Sequence, residues 1–282
     1  MGLKRKHSHS STTSLSVVWL GLLVSLLFLA TACKRDNTST SGVDPAMRQQ
    51  RGAEVVAEFL KRDSSPYRKN RVRMTIADPS EPMKVYELEI WRKQTPDETL
   101  TLTHVVQPAD ESDLAALSIE RKGQPAVNVT YVSSTGEFRE TGTNKMFFGG
   151  LTAQELLGEW DKYSYEWLGD KELDGVKTYE VEGQLKPGSD SILKRSRILF
   201  RADTYQPAEV HLFSADGSEL RTFKVKTFRN VAGHDVMWQT DIENHARKTK
   251  ITIESQAVEF PEKANDAMFT RDHLKQIAQR KT

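Results

Sequence analysis

Cysteine is almost absent from this sequence, since Cys33 is the only one among 282 residues. One cysteine excludes a domain held together by its own disulfide bonds, and it excludes a four-cysteine zinc site. Acidic residues are missing before Asp36, where a cationic start at residues 4–6 precedes an apolar run over residues 15–30. This arrangement is typical of a secretory signal.

Catalytic and nucleotide-binding motifs are missing as well. No glycine-rich phosphate loop and no nucleophile elbow occurs in the sequence. The 40 basic and 39 acidic residues nearly balance, which disfavours a nucleic-acid partner. The histidines beyond the apolar run are scattered and form no two-histidine helix motif: His104, His211, His234, His245 and His273. We therefore predict a protein that is not an enzyme and that has no metal, cofactor or nucleic-acid site.

The residues around Cys33 carry the strongest local signal. The small residues Thr31 and Ala32 stand directly before it, and this pattern resembles a bacterial lipobox, in which the cysteine is acylated and becomes the new N-terminus. An ordinary cleaved signal, a retained signal anchor and a cytosolic protein with an apolar N-terminus are the alternatives. Acylation would remove a lone thiol from an oxidising compartment, and more than one acyl chain suffices for stable membrane anchoring.

The lipobox reading divides the chain into three parts. We predict a signal peptide over residues 1–32, a flexible tether over residues 33–46 that begins with lipidated, palmitate-bearing Cys33, and a single domain over residues 47–282. In enteric bacteria an Asp after the lipidated cysteine favours retention in the inner membrane, whereas Lys34 follows here. We therefore expect the protein on the periplasmic face of the outer membrane.

The rest of the sequence predicts a mainly β fold. Apolar residues at helical spacing predict an amphipathic helix over Met47–Arg62, and Thr152 with Glu155 predicts a capping box that starts a central helix at Ala153. Alternating apolar and polar residues predict about eleven strands: Arg71–Ala77, around Tyr86–Ile90, around Leu100–Leu102, Ala116–Arg121, Ala126–Val132, Lys177–Leu185, Ser196–Arg201, Ala208–Phe213, Leu220–Phe228, Val236–Asn244 and Lys250–Ser255. Helix, meander, helix and meander suit a curved antiparallel sheet wrapped round one or two helices.

Large apolar side chains on the predicted sheet faces supply the candidate site. One interpretation is a packed core beneath the helices. The other is a cavity for an acyl chain or another apolar ligand, because a sheet bent round a helix need not fill its concave side. The candidate cavity residues are Ile90, Trp91, Phe200, Phe213, Phe223 and Trp238.

Several short segments, taken in order, resemble the outer-membrane lipoprotein-sorting family, the relatives of LolA, LolB and RseB. They are residues 88–93, 107–110, 161–165, 168–169, 174–181, 205–207 and 269–270. The resemblance implies an unclosed half-barrel capped by helices, with a hydrophobic cavity that receives lipoprotein acyl chains in the best-studied members. Residues 131–134 depart from the family, because they lack the aromatic-proline stretch that many members carry before the central helix.

Together these observations predict a lipid-anchored periplasmic binding protein. It would accept an apolar ligand, such as a lipoprotein acyl chain or a lipid, in lipoprotein sorting or lipid transport, with the membrane bound through the acyl chains on Cys33. The alternative is an envelope stress sensor or interaction scaffold with a filled core, which would act through a periplasmic or inner-membrane protein partner.

Overall fold

A run of long antiparallel strands forms most of the computed structural model, which describes residues 42–62, 65–142, 150–152, 155, 160–189 and 191–279. All of these residues belong to one compact unit, residues 37–282. The first helix, α1, spans Pro45–Arg62 and buries Val55, Val56 and Phe59. Among the described residues, no helix has the length and apolar character needed to cross a membrane.

Thirteen strands lie in the described part of the chain and form one sheet. They are β1 Tyr67–Ala77, β2 Lys84–Gln94, β3 Glu98–Gln107, β4 Ala115–Arg121, β5 Val127–Val132, β6 Glu137–Gly142, β7 Tyr163–Leu173, β8 Val176–Leu185, β9 Arg195–Arg201, β10 Pro207–Phe213, β11 Glu219–Val231, β12 His234–Asn244 and β13 Thr249–Glu259. A second helix, α2, follows over Arg271–Gln279.

The strand order shows how the sheet is assembled. It runs β6-β5-β4-β3-β2-β1-β13-β12-β11-β10-β9-β8-β7, and the edge strands β6 and β7 do not pair with each other. Two antiparallel meanders, β1–β6 and β7–β13, therefore meet at a seam where β1 pairs with β13. A sheet of this size curls strongly because every strand pair adds twist, and this one stays an unclosed half-barrel.

The buried apolar side chains do not all lie on one face of the sheet. On the face that we call the inner face, Val72, Leu88, Ile242 and Ile251 form one buried cluster around the seam. On the same inner face, helix α1 covers Val181, Ile198 and Phe200 near the β7 edge. Towards the β6 edge the buried residues lie on the opposite, outer face, where α2 and its preceding turn cover them: Leu102, Leu117, Val129, Phe269, Leu274 and Ile277.

The mainly β, unclosed antiparallel fold predicted from the sequence is confirmed, and so is the N-terminal amphipathic helix. All eleven predicted strands occur, but β6 and β7 were not predicted, and neither was α2. The predicted leader, Cys33 and almost all of the tether lie outside the described residues, as does most of the predicted central helix. Its start is described: Glu155 donates its backbone N–H to the Thr152 Oγ1 at 3.2 Å and its carboxylate accepts from the Thr152 N–H at 2.6 Å, which is a capping box.

Candidate functional site

A cavity of about 1370 Å³ lies against the inner face of the sheet. Side chains from both meanders line it, so the curl of the sheet brings strands far apart in sequence around one space. Helix α1 contributes Phe59 and Leu60, and the segment between β6 and β7 contributes Trp160. Binding sites for small molecules usually occupy about 300–1,000 Å³, so this cavity has room for a large ligand.

The cavity is apolar around the seam and towards the β7 edge. Apolar lining side chains come from seven strands: Val72, Met74, Ile76, Leu88, Ile90, Ile198, Val210, Leu212, Phe223, Val225, Ile242 and Ile253. Aromatic rings continue this surface, because Trp160 packs on Phe59 with ring centroids 5.0 Å apart and lies 6.3 Å from Tyr165. An apolar lining of this kind favours a ligand with a hydrocarbon part, because binding removes the apolar surface of the ligand from water.

Against strands β1–β5 the cavity becomes polar along the strand direction. The strand register arranges its lining side chains in rows that cross the sheet. The row nearest the seam cluster is apolar, with Val72 beside Leu88 and Leu88 beside Val105. The next row is mixed and contains Asn70, Ile90, Thr103, Ala116 and Thr130. The third is entirely polar and contains Arg68, Arg92, Thr101, Ser118 and Asn128.

We call this third row the polar row. It exists because alternation along β3 and β4 sends the leucines outward, beneath α2, and the threonines and serine inward. Within it the Ser118 Oγ donates to the Asn128 Oδ1 at 2.5 Å, and Asn128 is fully buried. The cavity therefore changes from hydrocarbon to hydrogen-bonding groups over a few residues along each strand.

Of the residues described between β6 and β7, Gly150, Leu151 and Glu155 lie at the inner face, where Glu155 forms a buried ion pair. Leu151 is 1% exposed and belongs to the seam cluster. The Arg221 Nε lies 3.1 Å from the Glu155 Oε1, and an Nη2 of the same guanidinium donates to the Gly150 carbonyl at 3.0 Å. Burial lowers the pKa of Arg221, while the Glu155 carboxylate opposes that change. Through Arg221, these contacts join Gly150 and Glu155 to β11.

Tyrosines at the margin of the cavity have raised pKa values. Burial is the main reason that the pKa of Tyr165 lies far above its usual range, and its hydroxyl donates to the Trp160 carbonyl at 2.9 Å. Burial also raises the pKa of Tyr86, with the neighbouring Glu111 carboxylate adding to the effect. Both phenols therefore stay neutral at ordinary pH and act as hydrogen-bonding groups.

Two of the six candidate cavity residues, Ile90 and Phe223, line the cavity. Phe200 is fully buried beneath α1 and Trp160, where it fills the core. Trp91 lies on the outer face in the cluster under α2. The rings of Phe213 and Trp238 are not part of the lining and each lies 3.8 Å from an arginine guanidinium.

The polar row was not predicted, although its signal is present in the sequence. The alternation Thr99-Leu100-Thr101-Leu102-Thr103 places hydroxyls on one face and leucines on the other. Only apolar and aromatic side chains are candidates in the sequence-based prediction of the cavity, so the threonine face has no predicted role there. Among the described residues, no group of three or more His, Cys, Asp or Glu side chains is placed to hold a metal ion.

Three solved structures share this fold over most of their length. A DUF1329 family protein from Desulfovibrio piger is 17% identical, with a TM-score of 0.75 over 80% of this chain and 99% of that one. An outer-membrane lipoprotein-sorting protein domain from Vibrio parahaemolyticus is 16% identical, with a TM-score of 0.74 and the same coverage. A LolA superfamily protein from Nitrosomonas europaea is 13% identical, with a TM-score of 0.65 over 79% of this chain and 98% of that one.

A family model, described only as uncharacterised-protein-like, matches residues 97–276, which is more than half of the sequence. The chain belongs to the family that this model describes, and it has a LolA-like fold. No curated protein matches this sequence. The matched residues begin near the start of β3 and end within α2, so they include most of the polar row and both edge strands of the LolA-like sheet.

Proposed function

We propose that this LolA-like protein binds an apolar ligand, such as a lipoprotein acyl chain or a lipid, in the inner-face cavity. The observation that carries the proposal is the cavity of about 1370 Å³ with an apolar surface around the seam. Concave, mostly apolar spaces of this size are typical of ligand-binding sites. It favours ligand binding over a scaffold with a filled core.

The chemistry of the lining supports binding rather than catalysis. Burying an acyl chain contributes about 0.8 kcal/mol for each methylene removed from water, and the lining from Val72 to Ile253 offers the surface for it. We place this activity in lipoprotein sorting or lipid transport at the periplasmic face of the outer membrane. The membrane would be bound through acyl chains on Cys33, and Ile90 and Phe223 stay in the proposal as ligand contacts.

Fluorescence quenching tests ligand binding directly. The full chain, purified from membranes and exchanged into an amphipathic polymer, is titrated with stearic acid brominated at mid-chain, because bromine quenches nearby indoles. Trp160 lines the cavity and Trp238 does not. We expect saturable quenching that Trp160→Phe removes for the most part and that Trp238→Phe leaves in place. If Trp160→Phe left the quenching unchanged, the probe would be bound outside the cavity.

A blocking substitution tests whether the cavity volume matters. Val225 lines the cavity on β11, whereas Thr227 is exposed on the same strand and does not line it. Valine and threonine have the same shape, so Val225→Trp and Thr227→Trp add the same bulk at different places. We expect Val225→Trp to weaken binding by about tenfold or more and Thr227→Trp to have little effect. Equal effects of the two variants would contradict a role for the cavity.

Cell fractionation tests the membrane anchor separately. We expect the wild-type protein in the outer-membrane fraction, with the mass of acyl chains added to a chain that begins at Cys33. Cys33→Ser should release the protein from the membrane or leave the leader uncleaved. An unmodified cysteine in the mature protein would contradict lipid attachment without affecting the cavity proposal.

A further inference from the structure

We propose that the ligand is an anionic amphiphile whose hydrocarbon lies in the apolar part of the cavity and whose carboxylate or phosphate head group lies against the polar row. This inference rests on the proposed function and adds the ligand class. It assigns a site to side chains from β1–β5, with Arg68 and Arg92 as its charged members.

The direction of the polarity change decides how an amphiphile would lie. Leu88, Ile90 and Arg92 follow one another on the inner face of β2, so two residues of strand separate a hydrocarbon contact from a guanidinium. Strand rise is about 3.3 Å per residue, so the change from apolar to cationic takes roughly 7 Å for each such step. A chain lying along this surface would bring its head group to Arg92.

The two arginines give this end of the cavity its charge. Arg68 on β1 is the direct cross-strand partner of Arg92 on β2, and both side chains line the cavity. The Arg68 Nε donates to the Asn70 Oδ1 at 3.0 Å. The acidic side chain of Glu120, two strands from Arg92 and in the next row outward, also lines this wall.

Thr101 provides an independent indication of a ligand. It stands between Arg92 and Ser118 in the polar row, is 7% exposed and lines the cavity. Its Oγ1 has no hydrogen-bond partner among the described residues. A buried hydroxyl without a partner lowers stability, so such groups usually acquire one from water or a ligand. A head-group oxygen lying against Arg92 would be within the same row as this hydroxyl.

The chemistry of these groups favours an anion over a neutral sugar or hydroxyl head group. A guanidinium stays protonated in proteins and offers five N–H donors in a planar arrangement that matches carboxylate and phosphate oxygens. Hydrogen bonds between ionised partners are about twice as strong as those between neutral groups. The hydroxyl of Thr101 adds a donor beside the guanidinium, whereas the Ser118 hydroxyl is already donated to the Asn128 Oδ1.

Three matched probes test the head-group preference: mid-chain brominated stearic acid, the corresponding alcohol and the phosphate monoester of that alcohol. Each is titrated into the full chain by quenching of Trp160. We expect the acid or the phosphate ester to bind at least about tenfold more tightly than the alcohol. The better of the two identifies the head group. Equal affinities for all three would overturn this inference and leave the proposed function intact, whereas no binding of any probe would overturn both.

Two substitutions locate the preference. Arg92→Gln should weaken binding of the anionic probes by about tenfold and leave the alcohol unchanged, while Arg73→Gln, an exposed outer-face change on β1, should alter neither. Thr101→Val keeps the side-chain shape and removes the unpartnered hydroxyl, so it should raise the melting temperature and weaken anion binding. Unchanged anion affinity in both Arg92→Gln and Thr101→Val would overturn the head-group site.

Discussion

Replacing Gly52 by alanine would have two opposing effects on stability, a steric clash with β7 and a gain in helix propensity. The result therefore tests how closely α1 packs on β7. Gly52 is buried in α1, where an added Cβ would lie 2.8 Å from the Glu166 backbone nitrogen and carbonyl carbon and from the Trp167 nitrogen. These are backbone atoms of β7, so no side-chain rotation can relieve the contact. Alanine is also the better helix former, by about 1 kcal/mol.

The magnitude of the clash follows from contact distances. Carbon atoms attract best at about 3.5–4.0 Å, so α1 would have to retreat from β7 by roughly 0.7–1 Å, a gap that forfeits about a quarter to a half of the attraction. Val55, Val56 and Phe59 depend on that approach, and each contributes about 1.5–3 kcal/mol when buried. The loss is therefore about 2–3 kcal/mol, and the gain in helix propensity reduces it to about 1–2 kcal/mol.

Thermal unfolding of the full chain, followed by far-ultraviolet circular dichroism, measures the result. A destabilisation of this size should lower the melting temperature of Gly52→Ala by roughly 2–8 °C. Ala57 is exposed on the same helix, so Ala57→Gly gives the propensity effect alone, about 1 kcal/mol. If Gly52→Ala instead raised the melting temperature, the close approach of α1 to β7 would be refuted.

Three further outcomes follow from other parts of the molecule. Arg221→Met should cost about 3–5 kcal/mol in urea unfolding, because it leaves the buried Glu155 carboxylate without its cation, and the double variant with Glu155→Met should recover most of that loss. Hydrogen bonds from Ser80 and Thr249 lower the pKa of Asp78 from 3.8 to about 2, so its stabilisation is present above the unfolded pKa and is lost as the pH falls towards 2; Asp78→Asn should flatten that part of the pH–stability profile. Leu274→Ala, at a fully buried position of α2, should cost about 2–5 kcal/mol in the same urea assay.

Alternation in the sequence predicted most strands because each has one buried face. It failed at β6, an edge strand with a single neighbour, where Phe138 is the main apolar side chain. In β7 a bulge between Trp167 and Gly169 interrupts the alternating pattern. The nine residues of α2 bury only Leu274, Ile277 and Ala278, too few for a clear helical pattern in isolation.

Alternation alone does not decide which side chains line the cavity. A period of two shows which residues share a face of a strand, but not which face turns inward. Ile90 is a candidate because its face of β2 is apolar, and its side chain lines the cavity. On β3 the apolar face turns outward instead. Helix α2 covers Leu102 from outside, and Thr101 lies in the cavity. That orientation depends on a helix more than a hundred residues away, which no local pattern reports.

Each meander is covered by a helix from the opposite end of the domain. Helix α1, at the N-terminal end of the domain, covers strands of the second meander, and α2, at the C-terminal end, covers strands of the first. A chain cut between β6 and β7 would therefore give two fragments, each carrying the helix that the other requires. Because the β1–β13 seam also joins distant parts of the chain, closing it carries a large loss of chain entropy. We infer that the whole domain folds as one cooperative unit, with seam formation as its slow step.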